Sequence, residues 1–408
     1  MSSIARALRH RNYRLYFCGQ TVSVLGTWMQ QVAMSWLAYR MTGSSFILGL
    51  IAFCSLIPLL PFAPIGGLLA DRHDKRRILL WTQSLCLLQV SVLTLLVHLG
   101  IVQPWHLVGM SLIMGFISAV DIPTRQSFVV SLVEDRADLP NAIALNSSSY
   151  NAARMIGPAI GGYVVGTWGE DICLMANAVS YFAVILCLLS MRTHHEERHH
   201  GAPLEALRQG VRYVRDNPRI LELMIFIAAL SFFLMPYQVL LPYFAKQVYS
   251  GGAHTYGLLM GANGFGALGG ALFLAGHKSL TGLGRRIGRA TIGSGVMLLA
   301  FTLSSQFWLG MTFLMLLGFC VFFTLAACNT AVQSLVGDDM RGRVLSLYYV
   351  AMAGITPLGS LVGGWVAEHL GAHITLTGGA VVAIIAGATY LQRAKRRGEA
   401  TKRTAAGD

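Results

Sequence analysis

Long apolar runs separated by short polar connections fill this sequence from end to end. The run that ends at Leu69 and the run that begins at Ile78 are separated by a short, highly charged stretch, residues 71–77. Each run is close to the roughly 20 residues that a helix needs to cross the hydrocarbon core of a bilayer. The pattern therefore predicts membrane-spanning helices whose polar turns lie at the water interface.

Twelve such runs can be placed on the 408 residues. The predicted spans are 15–39, 46–69, 78–98, 106–130, 139–168, 172–191, 220–245, 255–277, 290–305, 307–330, 342–368 and 373–392. One long polar stretch, 192–218, interrupts them, and its apolar residues from Leu204 to Val214 recur at helical spacing. That spacing predicts an amphipathic helix on the membrane surface. The expected fold class is an all-α membrane protein with twelve transmembrane helices.

Three short motifs recur along the chain at the same offset to within one residue. The pairs are Gly66-Gly67 with Gly269-Gly270, Ser131-Leu132-Val133 with Ser334-Leu335-Val336, and Gly161-Gly162 with Gly363-Gly364. Two six-helix halves with the substrate near the midplane between them are a known transporter plan. We therefore predict two pseudo-symmetric halves, 1–191 and 219–393, joined by a cytoplasmic linker, 192–218, and followed by a basic tail, 394–408.

Composition and charge agree with a membrane protein. Charged residues make up 12% of the chain, about half of the roughly 25% that is usual in soluble domains. The formal net charge is +13, yet the predicted spans place all but three of the 31 lysines and arginines on one side. The exceptions are Arg40, Lys246 and Arg154. Because bases collect in cytoplasmic loops, we expect both termini in the cytoplasm, and the charge does not call for a nucleic-acid partner.

The charged stretch between the second and third spans resembles a motif of the major facilitator superfamily. Residues at the motif's positions are Gly67, Asp71, Arg72, Lys75 and Arg76. Asp74 stands where the superfamily usually has glycine. The segment Asp121 to Gln126 and the N-terminal Arg-Asn-Tyr-Arg-Leu are similar to those of a bacterial exporter branch. The resemblance to the superfamily covers nearly the whole chain.

A second motif lies in the fifth span. It is similar to the GPxxGG core of a motif associated with antiporters, and its residues are Gly157, Pro158, Gly161 and Gly162. Ala144 and Ala153 occupy the upstream glycine positions of that motif. The arginine that proton-coupled drug exporters carry early in the fourth span is absent, and Ser111 stands in its place.

The resemblance implies a secondary transporter of the bacterial inner membrane that exports a small organic compound by alternating access, with proton antiport as the energy source. The alternatives are an importer or facilitator of a small solute, or a non-transporting membrane receptor. The expected partners are a small-molecule substrate and the lipid bilayer, and the expected state is a monomer. The sequence contains no GxxxxGK[ST] loop, so an ATP-driven pump is not supported. No enzyme activity, cofactor or metal is expected.

Charge inside the predicted fourth span has two interpretations. Asp121 lies in its cytoplasmic half, with Arg125 one turn on. Asp121 is either a proton site or part of a conformational latch, in which Lys75 and Arg76 reach Asp121 while Asp71 faces the positive end of the eleventh span. We favour the latch because a carboxylate beside an arginine should stay ionised. Its predicted members are Gly67, Asp71, Arg72, Lys75, Arg76, Asp121 and Arg125.

Polar stripes along several spans are candidates for a substrate cavity. Arg154 lies at the centre of the fifth span, where a cation either binds an anionic substrate or is held by helix carbonyls or a neighbouring span. The other candidates are Gln20, Thr27, Gln30, Gln31, Tyr150, Asn151, Tyr237, Gln238, Asn263, Phe319 and Phe323. Helix packing is the alternative for each of them. An aromatic-rich cavity suits a moderately large organic molecule.

Two further patterns are assigned to structure. Gly264 to Gly269 satisfies GxGxxG but lies inside a span with no preceding strand, which favours close helix packing over nucleotide binding. The histidines of His194 to His200 have no rigid spacing to preorganise a metal site, so we interpret this segment as a solvated loop.

Overall fold

The computed structural model of the protein describes residues 3–133, 135–191, 203–276 and 282–406. Within these ranges the chain is helical and contains no strand, which confirms the all-α class. The histidines at 194–200 and the first part of the predicted linker lie outside the described residues.

Sixteen α-helices follow one another along the described chain. They are α1 (Arg11–Thr42), α2 (Ser45–Leu56), α3 (Leu59–Arg72), α4 (Lys75–His98), α5 (Pro104–Ser131), α6 (Leu139–Trp168), α7 (Glu170–Leu189), α8 (Pro203–Asp216), α9 (Pro218–Phe233), α10 (Tyr237–Tyr243), α11 (Ala253–Ala275), α12 (Leu283–Leu303), α13 (Phe307–Leu335), α14 (Arg341–Tyr349), α15 (Ile355–Leu370) and α16 (Ala372–Ala406). Short 3-10 segments occupy Ser3–Arg9 and Arg136–Asp138, and π-helical segments occupy Phe244–Val248 and Val350–Gly354.

Nine helical stretches of the described chain are long and apolar enough to cross a membrane. They are Ser45–Arg72, Lys75–His98, Pro104–Ser131, Glu170–Leu189, Pro218–Val248, Ala253–Ala275, Phe307–Leu335, Arg341–Leu370 and Ala372–Arg396. Three more helices, α1, α6 and α12, overlap predicted spans and are also long, but they carry the polar stripes or arginines that lower their hydropathy. The count of twelve spans therefore stays a prediction.

Some predicted spans are interrupted where the sequence contains proline. The run 46–69 forms α2 and α3, which meet at Pro58, and the run 220–245 is divided before α10 at Pro236. Proline lacks the backbone N–H that continues a helix and its ring crowds the preceding turn. The breaks thus follow from local chemistry that hydropathy alone does not register.

The described chain divides into two compact units. One comprises residues 1–201 and 245–261, and the other comprises 202–244 and 262–408. In the first unit α1 packs against α6 and α7, and α4 packs against α5 and α7. In the second unit α12 packs along α16 and against α13. The first unit includes 245–261, a stretch that the predicted boundaries assigned to the second half.

The α12–α16 contact depends on glycines. A Cβ atom at Gly288 would lie 2.8 Å from Leu391 Cβ and 3.1 Å from the Gly387 carbonyl oxygen. A Cβ at Gly295 would lie 2.6 Å from the Ala380 carbonyl oxygen. Because no real side chain fits at these distances, the two antiparallel helices approach backbone to backbone, as small residues allow between membrane helices.

This packing predicts opposite effects for two glycine substitutions. Gly288→Ala forces α12 and α16 apart and should lower stability by about 1–3 kcal/mol, the usual cost of overpacking. The control is Gly378→Ala in α16, where a Cβ meets nothing within 4 Å and should be neutral or stabilising by up to about 1 kcal/mol. Thermal unfolding of the purified variants in detergent measures both. Equal melting temperatures for Gly288→Ala and Gly378→Ala would contradict the close contact between α12 and α16.

Candidate functional site

A buried carboxylate joins α4 and α5 in the first unit. Asp121 is 3% exposed, and one of its oxygens accepts hydrogen bonds from Thr82 Oγ1 and Gln83 Nε2, each at 2.8 Å. Arg125, one helical turn on, donates to the other carboxylate oxygen. Charge-assisted hydrogen bonds of this kind are stronger than neutral ones. Asp121 is therefore tightly held within the first unit.

The partners of Asp121 differ from those that the sequence suggested. The latch hypothesis has Lys75 and Arg76 reaching Asp121. In the structure Arg76 instead donates through Nε and Nη2 to the carbonyl oxygens of Leu188 and Leu189, at 2.7 and 2.8 Å. These carbonyls end α7, where the helix dipole favours a cation. Arg76 thus ties α4 to α7.

The charged turn itself is organised by Asp74. Its side chain is the N-cap of α4 and accepts a hydrogen bond from the Arg76 backbone N–H at 2.8 Å. A carboxylate is a favoured N-cap and also suits the positive end of the helix dipole. The departure from the superfamily's glycine therefore has a structural reason. Asp71 is half-buried and Arg72 is exposed.

The glycines of the antiporter-type motif place an aromatic residue beside Arg154. A Cβ at Gly157 would lie 2.7 Å from Trp28 Cβ, so α6 can approach α1 this closely only with glycine there. The Trp28 ring then lies under Arg154, whose guanidinium carbon is 5.9 Å from the ring centroid. Tyr150 meets the same ring edge to face, with the centroids 6.0 Å apart. The result is a cation–π contact on the first unit.

On another side of α6 the same motif meets α11. A Cβ at Gly162 would lie 2.7 Å from Gly257 Cα, and a Cβ at Gly257 would lie 2.8 Å from Gly162 Cα. Tyr163 and His254 pack above this crossing, with their rings 6.3 Å apart. The crossing shows that the motif has two packing faces, one toward α1 and one toward α11.

The predicted cavity residues fall into two groups by exposure. Thr27, Gln31 and Tyr150 are exposed and Asn151, Arg154, Gln238 and Phe319 are half-buried, whereas Gln20, Gln30, Tyr237, Asn263 and Phe323 are at most 6% exposed. We define the α1–α6 face as Thr27, Trp28, Gln31, Tyr150, Asn151 and Arg154. The sequence pattern did not single out Trp28 as a cavity residue, although it lies three residues before Gln31 in a polar stripe.

Contacts within each unit account for three of the buried residues. Tyr237 Oη accepts a hydrogen bond from Asn263 Nδ2 at 2.9 Å, and Asn263 also donates to the Leu314 carbonyl oxygen at 3.3 Å. Gln30 accepts a hydrogen bond from Asn177 of α7. For these residues the structure supports the packing alternative, and we leave them out of the proposed binding face. Two glycines of the same helix also pack closely, Gly266 against Met315 and Gly270 against Phe319 of α13.

The two bases predicted on the far side of the membrane both have partners in the first unit. Arg40 donates to the Glu170 carboxylate at 2.9 and 3.1 Å. Lys246 Nζ lies 5.6 Å from the ring centroid of Tyr39. These two exceptions to the charge distribution therefore each have a partner nearby, a carboxylate for Arg40 and a ring face for Lys246. Among the described residues no cluster of three or more histidine, cysteine or acidic side chains is arranged to hold a metal.

Nine helical stretches of the described chain that are long and apolar enough to cross a bilayer are typical of polytopic membrane proteins. The chain belongs to the major facilitator superfamily. Within that superfamily, the family model described as "Transmembrane secretion effector" matches residues 2–406. The protein is thus a transporter of small solutes, and the resemblance of its motifs to this superfamily is confirmed.

Curated relatives and solved structures agree with this assignment. The staphyloferrin A transporter of Staphylococcus aureus is 26% identical over 86% of this chain and 88% of its own length. The enterobactin exporter EntS of Shigella boydii is 25% identical over 90% of this chain and 86% of its own. A bacterial homologue of the lysosomal transporter Spinster superposes with a TM-score of 0.76 at 14% identity, covering 95% of this chain and 97% of the other. That structural likeness supports the fold.

The Asp121–Arg125 pair predicts strongly non-additive effects on stability. Arg125→Met leaves a buried carboxylate without its counter-charge, which should lower the free energy of unfolding by about 3–5 kcal/mol. Adding Asp121→Asn removes the second charge and should restore most of that loss. Denaturant titration of the detergent-purified variants measures the cycle.

The control for this cycle is Arg136→Met, because Arg136 is exposed in the connection before α6 and should change stability by less than about 0.5 kcal/mol. If Arg125→Met lowered stability as little as this control, Arg125 would not be the counter-charge on which the buried Asp121 depends.

Proposed function

We propose that this protein exports a small organic anion from the bacterial cytoplasm by alternating access, coupled to proton entry. In this proposal both termini are cytoplasmic, twelve helices cross the inner membrane and the protein works as a monomer. One relative is named an exporter, and the GPxxGG core of α6 resembles that of antiporters. The observation that carries the proposal is Arg154 held over Trp28 on the α1–α6 face.

Arg154 suits an anionic substrate for reasons of charge and position. It lies near the middle of α6, a helix of 30 residues, and so near the level where such transporters bind their substrate. An arginine at that depth is costly and is retained mostly for function. A ring face attracts the guanidinium through its flat face, and the planar N–H fork of an arginine suits a carboxylate.

The exposed aromatic and amide groups beside Arg154 favour an organic molecule over a simple ion. Tyr150 is 52% exposed, and the exposed side chains of Thr27 and Gln31 offer hydrogen bonds. Binding sites for organic ligands combine apolar area with a few polar groups that fix orientation. A compound with a carboxylate next to an apolar or aromatic body matches this combination.

We also propose that the charged turn before α4 is one side of a conformational latch. Its members are Gly67, Asp71, Arg72, Lys75 and Arg76, together with Asp121, which joins α5 to α4, and its ion-pair partner Arg125. Asp71 would engage the positive N-terminal end of α14 when the cytoplasmic ends of the halves close. The support is that the start of α4 is fixed in two ways, by the Asp74 cap and by the bond from Arg76 to the end of α7. Asp71, in contrast, is only half-buried.

Transport in everted membrane vesicles tests the function. An aromatic carboxylate should accumulate when the vesicle interior is acidified, and the accumulation should collapse when the pH gradient is dissipated. The corresponding amide and amine should not accumulate. Arg154→Gln should reduce uptake of the carboxylate at least tenfold, the effect of about 1.4 kcal/mol of lost interaction, whereas Arg154→Lys should retain part of it.

The matched control for Arg154→Gln is Arg136→Gln, which removes an exposed arginine outside the proposed binding face. Uptake that is unchanged in Arg154→Gln would assign this arginine to helix packing. If uptake by the unsubstituted protein is the same with and without a pH gradient, proton antiport is ruled out.

Cysteine labelling tests the latch. A cysteine at Gln31, in a Cys18→Ser background, reports access from the extracytoplasmic side to a membrane-impermeant maleimide. Asp71→Asn should slow this labelling several-fold, because losing a contact that closes the cytoplasmic end favours the state open to the cytoplasm. Asp74→Asn is the control, since asparagine also caps a helix, and labelling should be unchanged. A labelling rate in Asp71→Asn equal to the rate with Asp71 unsubstituted would refute the latch.

A further inference from the structure

The second unit carries a basic patch where α12 begins and the membrane part of α16 ends. We define the α12–α16 patch as Arg285, Arg286, Arg289, Arg393, Lys395 and Arg396. The close helix packing brings its two parts together, since a Cβ at Gly284 would lie 3.3 Å from Ala394 Cβ. Arginines from two helices thus share one end of one helix pair.

These arginines occupy an electrostatically unfavourable position. The N-terminus of a helix carries partial positive charge and repels cations, yet three arginines lie within the first two turns of α12. That helix has no acidic residue in its first turn and no side-chain cap at Gly282. The placement is costly unless an anion offsets it.

Acids of the described chain compensate little of this charge. Within the described residues the ion pair recorded for the patch joins Arg393 to Glu222, with Nη1 3.2 Å from Oε1. Arg286 Nη1 is buried and has no hydrogen-bond partner among the described residues. The exposed Arg285 and Arg289 are the groups through which an external anion would balance the excess charge.

The patch continues into apolar surface along both helices. On α12, Arg285 and Arg289 share a face with Val296 and Leu303, which are 42% and 73% exposed. Val296 lies about 10 Å beyond Arg289 along the axis, at roughly 1.5 Å per residue. That distance falls within one leaflet, whose hydrocarbon is about 15 Å deep.

Helix α16 also carries an apolar face in line with a basic residue, and here the apolar residues come before the basic one along the chain. On α16 the exposed side chains of Ile374, Val381 and Ile385 share one face, and Arg396 is exposed on the same face three turns after Ile385. The ligand that fits such a surface has apolar chains and an anionic head.

We propose that the α12–α16 patch binds one anionic phospholipid of the cytoplasmic leaflet. Its phosphate would lie between the arginines of α12 and the end of α16, with its acyl chains along Val296 and Ile385. Basic clusters at the cytoplasmic ends of membrane helices are suited to such headgroups. The inference rests on the proposed topology but not on the proposed substrate or on proton coupling.

Lipid-dependent thermal stability tests this proposal on the purified full-length protein in detergent. Dioleoylphosphatidylglycerol should raise the melting temperature by a few degrees, and dioleoylphosphatidylcholine and inorganic phosphate should not. In Arg285→Gln/Arg289→Gln the shift with phosphatidylglycerol should fall below half. In Arg208→Gln/Arg212→Gln, which removes two exposed arginines of α8, the full shift should remain.

Several outcomes would overturn the proposal. An undiminished shift in the α12 variant, or an equal loss in the α8 variant, would show that the lipid acts on overall charge. A shift produced by inorganic phosphate alone would indicate a free-anion site. If the double variant is too unstable to measure, the single variants Arg285→Gln and Arg289→Gln give the same comparison. Because no transport is measured, a failure here leaves the proposed function standing.

Discussion

A bilayer offers no water to the polar groups of the chain, and this constraint governs the rest of the structure. Helices satisfy their own backbone hydrogen bonds and are therefore the form that this chain takes throughout its described part. Side chains meet the same requirement less easily. Asp121 succeeds because Thr82 and Gln83 supply donors from one turn of α4 and Arg125 supplies one from its own helix. Asp121 thus shows how a buried charge is held by partners from its own helix and from a neighbouring one.

Close helix approach is the second consequence, because helices in lipid gain little from hydrophobic burial and depend on contact between surfaces. The antiporter-type motif shows how one short segment serves several contacts. Gly157 admits Trp28, while Gly162 meets Gly257 of α11. A larger side chain at Gly157 would displace the ring that lies beneath Arg154. The packing of α6 and the chemistry of the α1–α6 face are therefore determined by the same residues.

Much of the fold followed from hydropathy, since runs near 20 residues have few alternatives in lipid. The prolines at 58 and 236 interrupted runs that hydropathy alone treats as continuous. The site was harder to predict because a polar residue at helical spacing can face either a cavity or another helix. Tyr237 and Asn263 bond to each other across helices, while Tyr150 is exposed, and one sequence cannot distinguish these cases. Arg76 illustrates the same limit, since its carbonyl partners on α7 carry no sequence signal.

Three arginines in the first unit show how the nature of the partner determines what a charge can do. Arg76 binds the carbonyls that end α7, and Arg125 binds a carboxylate of opposite charge. Both are engaged through their N–H groups: Arg76 fastens α4 to α7, and Arg125 balances the buried charge of Asp121 within α5. Arg154 lies over an indole ring, and that contact stabilises the cation through its flat face. The contact of Arg154 with Trp28 thus differs from the other two in using the flat face of the guanidinium.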